Sequence, residues 1–377
     1  MKSNGSAARC LFFCFGTPAE LIKLYPIILR AEEGGFPWAA FSTGQGPVSC
    51  ADQWRDFGFG ADRLHTLVST DADLRTPKEA AAWFSRALLL SASHLRQKVK
   101  ALTGRTPDPA QDIWLVHGDT LSTLVGTIYG RRLGLRVAHV EAGLRSGDWT
   151  NPFPEEVTRI LVSKLARFHF PPGPAAKQSL QREGARGRIV ETEANTQVDA
   201  IKLVLERFDG PDVPDVKYGL VNIHRFETLQ SRVRWQKVKE TLLKASKTHR
   251  LFIVLHAVAD EKLRHEVEFK AELEKNGAVW LPRQPFIKFA HWVAKSQFVI
   301  CDSAGNQQEC AYLGVPCLIL REVTETPLID GRKCTVLSRF DARVIDSFLA
   351  SPDSYRQERY PLSELPAKTI FEALTEV

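Results

Sequence analysis

The sequence predicts an α/β protein made of two parallel-sheet halves. Three observations carry that reading. Short apolar runs alternate with helical patterns along the whole chain, as βα units do. The alternation pauses once, at the PDVPD break of residues 211–215, then resumes as a second series of similar size. Several apolar runs end in glycine, acidic or histidine residues, where the ligand-facing groups of an open α/β sheet sit. A length of 377 residues leaves room for two domains with a core each.

In the first series, RCLFFCF (Arg9 to Phe15) reads as a buried strand, and GTPAELIKLYPIILRAEE turns at Gly16 and becomes helical. FPWAAFST is the next strand, and Lys78 to Leu102 has alanines and leucines on one helical side. DIWLV before His117 and LRVA before His139 read as buried strands, and RFHFPP and RIVET as further short ones. NTQVDAIKLVLERF is a helix with Asn195 as its cap. In the second series the strands are Tyr218 to His224, Arg250 to Ala257, AVWLP, Gln297 to Ser303 and PCLIL. Helices fill the intervals: Leu229 to Thr248, Asp260 to Asn276, FIKFAHWVAKS, and Asn306 to Leu313.

Composition excludes more than it selects. The net charge of +6 suits an anionic ligand, but lysine and arginine are spread along the chain with no arginine–aromatic interleaving, so nucleic acid is not expected. The basic run Arg232 to Arg250 has helical spacing and reads as a solvated face. Seven cysteines form no CxxC pair, and neither a zinc site nor any other metal is expected. No apolar run approaches the length of a membrane span, and the run Leu11 to Phe15 is too short for a leader. The cytoplasm is the expected compartment.

Chemistry concentrates between His117 and Arg159. HGDT, HVEAGLRSGD and NPFPEE place Asp119, Glu141, Asp148, Glu155 and Glu156 among glycines and beside histidines. Surface ion pairing accounts well for Glu156 and Arg159, which are at helical spacing. It accounts poorly for Asp119 and Glu141, which follow apolar strands. The second cluster is CDSAGNQQE, where a strand, a small-residue turn (Ser303, Ala304, Gly305) and a helix start could hold a phosphate, with Glu309 one turn on to accept from ribose hydroxyls. An ordinary capped helix start fits those residues equally well. FGTPAELIK is a weaker junction of the same kind, and His224 and His256 both end strands of the second half. No G-x-G-x-x-G fingerprint indicates a dinucleotide, and no cofactor is expected.

On these motifs the chain resembles the UDP-N-acetylglucosamine 2-epimerase family from Gly16 to about Leu337. HGDT is His117 to Thr120, HVEAGLR is His139 to Arg145, GD is Gly147-Asp148, PEE is Pro154 to Glu156, and the following arginine is Arg159. The family's HRRE reads His224-Arg225-Phe226-Glu227, and its DSGG-QEE reads Asp302 to Glu309. The resemblance implies two Rossmann-like domains facing a central cleft, the GT-B arrangement. The first would be residues 1–205, joined by a last helix at about 365–377, and the second residues 206–364. It implies inversion at C2 of a UDP-N-acetylglucosamine-like sugar through elimination and re-addition. The catalytic set would be Asp119, Glu141, Glu155 and His224. Substrate and nucleotide would be bound by Gly16, Thr17, Glu20, Lys23, His117, Arg145, Arg159, Arg225, His256, Ser303, Ala304, Gly305, Glu309 and Arg321. A hydrolysing epimerase, a glycosyltransferase of the same frame and a nucleotide-sugar binding protein are the alternatives, and a homodimer is an assembly left open. Three family arginines are replaced, by Pro18, Phe226 and Thr326. A charge-assisted hydrogen bond is worth roughly 1.5–3 kcal/mol, so these losses point to altered phosphate or nucleotide contacts.

Overall fold

A computed structural model describes residues 9–74, 76–147, 154–210, 213–324 and 332–376, without the side chains of residues 77, 226, 257 and 258. Asp148, Thr326 and the first two residues of PDVPD lie outside the described residues. The chain divides into two compact units, one running to Ala200 and again from Leu362, the other spanning Ile201 to Pro361.

The sheet of the first unit has seven strands: β1 Leu11–Phe15, β2 Trp38–Ser42, β3 Leu64–Thr66, β4 Ile113–His117, β5 Arg136–Val140, β6 Phe168–Phe170 and β7 Arg188–Ile189. They lie in the order β3-β2-β1-β4-β5-β6-β7, parallel throughout. The second unit has six: β8 Gly219–Asn222, β9 Leu251–Val254, β10 Val279–Leu281, β11 Phe298–Cys301, β12 Cys317–Ile319 and β13 Thr335–Leu337. Their order is β10-β9-β8-β11-β12-β13, again parallel. Strand order reverses between β1 and β4 in one sheet and between β8 and β11 in the other. At such a switch point the loops leaving the carboxyl ends diverge and open a crevice. The four loops concerned begin at Gly16, Gly118, Ile223 and Asp302.

Both sheets are covered on two faces, which is why their central strands read as continuous apolar runs rather than alternating ones. All of Leu11–Phe15 is buried, and Trp114 of β4 packs against Phe41 of β2 and Phe12 of β1 at ring distances of 5.3 and 5.9 Å. The last helix, Pro366–Thr375, belongs to the first unit. Arg9 donates to Leu374 O at 2.6 Å, Ala367 N–H donates to Asp199 at 3.2 Å, and Phe371 meets Phe36 edge-on at 5.8 Å. No described helix is long and apolar enough to cross a membrane.

Several elements depart from the sequence pattern. Lys78 to Leu102 is two helices, Pro77–Leu88 and Ala92–Thr103, because Ser91 caps the second through His94 N–H at 3.2 Å. The helix Gln197–Arg207 starts two residues after Asn195. Leu121–Arg132 is helical despite Gly126 and Gly130. A Cβ on Gly126 would lie 2.9 Å from Cys14 Sγ, and one on Gly130 would lie 2.8 Å from the Trp114 ring. Those glycines let the helix approach the sheet. The edge strands β3 and β13 have three residues each, too few to show a period.

Candidate active site

In the first unit, β4 and β5 pair in register from Ile113↔Arg136 to His117↔Val140. Their next residues form the acidic centre. Gly118 turns with φ +72°, and Glu141 adopts φ +65°, left-handed backbone that a non-glycine residue keeps only when its surroundings hold it. His139 Nε2 lies 2.8 Å from Gly118 O, tying the two turns together. Glu141 Oε2 accepts from Lys23 Nζ at 2.8 Å and from Asn195 Nδ2, and His117 Nε2 lies 3.8 Å away. Asp119 Oδ2 accepts two bonds from Arg159, at 2.9 Å from Nε and 2.5 Å from Nη2. The third arm of Arg159 reaches Glu156 at 3.0 Å. Glu155 opens the helix Glu155–Leu165 and is half-buried. Asp119 thus follows β4 at the switch point and Glu141 follows the neighbouring strand β5, each braced by a cation.

The histidines beneath them are neutral. Burial pushes His139 down to about 3, and drives His117 well below the ordinary histidine range with Lys23 adding to the effect. A cation cannot be sustained there, so His117 shapes the site without charging it.

Two residues expected at the ligand also have partners within the protein. Glu20 is 3% exposed, and its carboxylate is taken up inside the protein. Oε2 accepts from the Gly16 and Thr17 N–H groups, each at 2.8 Å, and Oε1 from Thr120 Oγ1 at 2.8 Å. Thr17 and Glu20 form a reciprocal capping box at the start of the helix Pro18–Glu33. Glu20 is thus a brace for the Gly16-Thr17 turn. Gly16 has no room for a side chain, since a Cβ would overlap Ser122 Oγ. Arg145 is also occupied internally. Its guanidinium forks onto Glu183 at 2.7 and 2.6 Å and reaches Ser163 at 3.1 Å.

In the second unit, Asp302 links the two switch-point loops. Its oxygens accept from His224 N–H at 3.1 Å and Arg225 N–H at 3.0 Å. His224 packs against His256 with ring centres 4.4 Å apart and the planes tilted by 33°. A chain of bonds continues from His256 Nε2 to Asn222 Oδ1 at 2.7 Å, Asn222 Nδ2 to Asn306 Oδ1 at 2.7 Å, and Asn306 Nδ2 to Glu309 Oε2 at 2.8 Å. Because Glu309 can only accept, the chain runs one way and makes Nε2 the protonated nitrogen of His256. Ser303 precedes the helix Ala304–Leu313 with extended backbone and makes no side-chain cap, leaving the cap role to other groups. Ala304 and Gly305 form its first turn. Arg225 pairs with Glu227 at 2.9 Å, and Arg321 is half-buried just past β12.

Burial, aided by Arg225 and Arg283, lowers His224 to about 4, and burial with the neighbouring His224 lowers His256 to about 3. Both are neutral at pH 7, so they offer hydrogen bonds rather than charge. Below the unfolded value of 6.5 the unfolded chain takes up protons that the folded chain refuses until about 4. Stability is therefore present above pH 6.5 and is lost as pH falls towards 4. Burial raises Glu20 and Asp302, which opposes this loss at the low end of the window. Thermal unfolding followed between pH 7 and 5 is expected to show a falling Tm with net proton uptake on unfolding; a flat profile would contradict neutral burial of these histidines.

A profile of the family described as UDP-N-acetylglucosamine 2-epimerase matches residues 91–359. The chain belongs to the UDP-N-acetylglucosamine 2-epimerase family. Among the curated members, the enzyme of Escherichia coli (strain K12) is 31% identical over 328 residues, covering 83% of this chain and 82% of that one. The Bacillus subtilis enzyme is 28% identical over 354 residues, covering 91% and 88%. The structure of the Methanocaldococcus jannaschii UDP-GlcNAc 2-epimerase in complex with UDP-GlcNAc and UDP superposes with a TM-score of 0.76 at 25% identity, covering 98% of this chain and all of that one. The family assignment agrees with the motifs at both switch points. Sequence reasoning did not single out Asn195 as a site residue, nor Asp302, Asn222 and Asn306 as the supports of His224 and His256. Only Asn195 carried a local signal, as a helix cap.

Proposed function

We propose that this family member is a nucleotide-sugar 2-epimerase that inverts C2 of a UDP-N-acetylglucosamine-like substrate. The observation that carries the reading is the pair Asp119 and Glu141, just past the carboxyl ends of the neighbouring strands β4 and β5, each held by a separate cation. The C2 hydrogen of such a sugar has no neighbouring carbonyl and is barely acidic. Breaking the C1–O bond first builds positive charge on the ring, which acidifies C2–H and is itself stabilised by nearby carboxylates. One carboxylate removes the proton, leaving a glycal and the nucleotide, and the proton returns on the opposite face. Two faces require two proton-handling groups, and Asp119, Glu141 and Glu155 supply them. Neutral His224 donates to the leaving phosphate oxygen. Ser303, Ala304 and Gly305 hold the diphosphate at their helix start, where unpaired N–H groups and the helix dipole favour an anion. Relatives solved with UDP-GlcNAc or UDP support the choice of nucleotide.

The test uses UDP-N-acetylglucosamine carrying ¹⁸O in the bridge between C1 and phosphorus, followed by ³¹P spectroscopy. Cleavage at C1–O frees the labelled oxygen to rotate, so re-addition scrambles the label into non-bridging positions. Scrambling without net loss of nucleotide sugar is the expected result. Accumulating UDP would assign the hydrolysing outcome instead. An unchanged spectrum would reject C1–O cleavage and the proposal with it.

A further inference from the structure

Asn195 is 6% exposed and bonded on both sides of its amide. Its Oδ1 accepts the Gln197 N–H at 3.1 Å, a two-residue side-chain turn at the head of the helix Gln197–Arg207. A backbone N–H can only donate, so this bond settles which end of the amide is oxygen. The other end is Nδ2, and it donates to Glu141 Oε2, an atom that can only accept. The two neighbours thus require one and the same orientation. The same Oε2 takes Lys23 Nζ at 2.8 Å, from the helix Pro18–Glu33. Two elements remote in sequence therefore grip one oxygen of a residue whose backbone sits at φ +65°. The second oxygen, Oε1, lies over Gly118, where an added Cβ would approach it to 3.7 Å.

We propose that Asn195 is a positioning residue that locks the Glu141 carboxylate, with Oε2 held by the protein and Oε1 kept for the substrate. It rests on the reading of Glu141 as a proton-handling group. The amide does two jobs with two atoms, and they separate by substitution. Asn195→Asp keeps an oxygen for the Gln197 N–H but turns a carboxylate oxygen towards Glu141. Asn195→Ser keeps a turn-forming oxygen but is too short to reach Glu141.

Both variants are expected to bind UDP with a dissociation constant within about threefold of native, because UDP binding does not use Glu141. Turnover at C2 should fall by about 100-fold in Asn195→Asp and less in Asn195→Ser, as expected for a misplaced acid–base group. A second readout does not depend on activity. Facing carboxylates repel, so Asn195→Asp should lower Tm, and adding Glu141→Gln should restore it by reversing the donor and acceptor. Tm loss that Glu141→Gln leaves unrescued would overturn the contact. Native turnover retained in Asn195→Asp would overturn the positioning role. A native protein inactive on every nucleotide sugar would instead remove the epimerase reading, and the Tm rescue would still decide the contact.

Discussion

Asp119→Asn is expected to abolish exchange of the C2 hydrogen with solvent while leaving the fold and UDP affinity intact. The replacement has the same shape and keeps an oxygen for Arg159, which also retains Glu156 at 3.0 Å. What disappears is the negative charge and the proton acceptor. General acid–base groups contribute roughly 10²–10⁴-fold, and charge stabilisation of the ring adds to that, so a fall of about 10³ or more is expected. Calorimetry with UDP should show a dissociation constant within about threefold of native, since the loss is confined to the transition state. C2 exchange at the native rate in this variant would remove Asp119 from the catalytic set.

Glu20→Ala is expected to have the largest effect on stability among the site residues. Glu20 accepts two backbone N–H bonds, and three hydroxyls, those of Thr17, Thr120 and Thr123, lie 2.8–3.0 Å from its oxygens. The hydroxyls can rotate to other acceptors; the N–H groups of Gly16 and Thr17 cannot. An orphaned buried donor at Gly16, costing about 1–3 kcal/mol, and a part-buried one at Thr17 that costs less predict a loss of a few kcal/mol, partly offset because a buried carboxylate no longer has to be desolvated. Glu20→Gln should be milder. Its carbonyl can serve the two N–H groups while its NH₂ donates to the threonine hydroxyls, which accept as readily as they donate. Urea unfolding should rank native, Gln, Ala in falling stability. Equal midpoints for the native and alanine proteins would show that Glu20 is not the brace described.

The fold and the places of Asp119 and Glu141 past strand ends were legible because each depends on local pattern. Continuous apolar runs such as LFFCF mark strands buried on both faces, and an acid directly after such a run has few places to go but the crevice. Asp119 and Glu141 were found that way. Glu20 shows a second local signal beside the one read for it. Thr17-Pro18-Ala19-Glu20 has the T-x-x-E spacing of a capping box, and the structure forms that box. Arg145 offered no such signal, because Glu183 is 38 residues away and pairs with it only once β5 and the helix Pro174–Arg182 are in place. The bond between Asn195 and Glu141 spans 54 residues and is equally silent in the sequence. Gly126 and Gly130 hid a helix, because close packing against Cys14 and Trp114 overrides their poor helix propensity.

The proposed function has the carboxylates at the ends of β4 and β5 move the C2 proton of a nucleotide sugar. The most direct measurement incubates the native protein with UDP-N-acetylglucosamine in deuterated water and follows C2 by proton spectroscopy. Deuterium is expected at C2 of sugar that is still nucleotide-linked, in both epimers, at a rate that Asp119→Asn suppresses. Epimers formed with the C2 hydrogen retained, or label appearing equally fast in the Asp119→Asn protein, would contradict it.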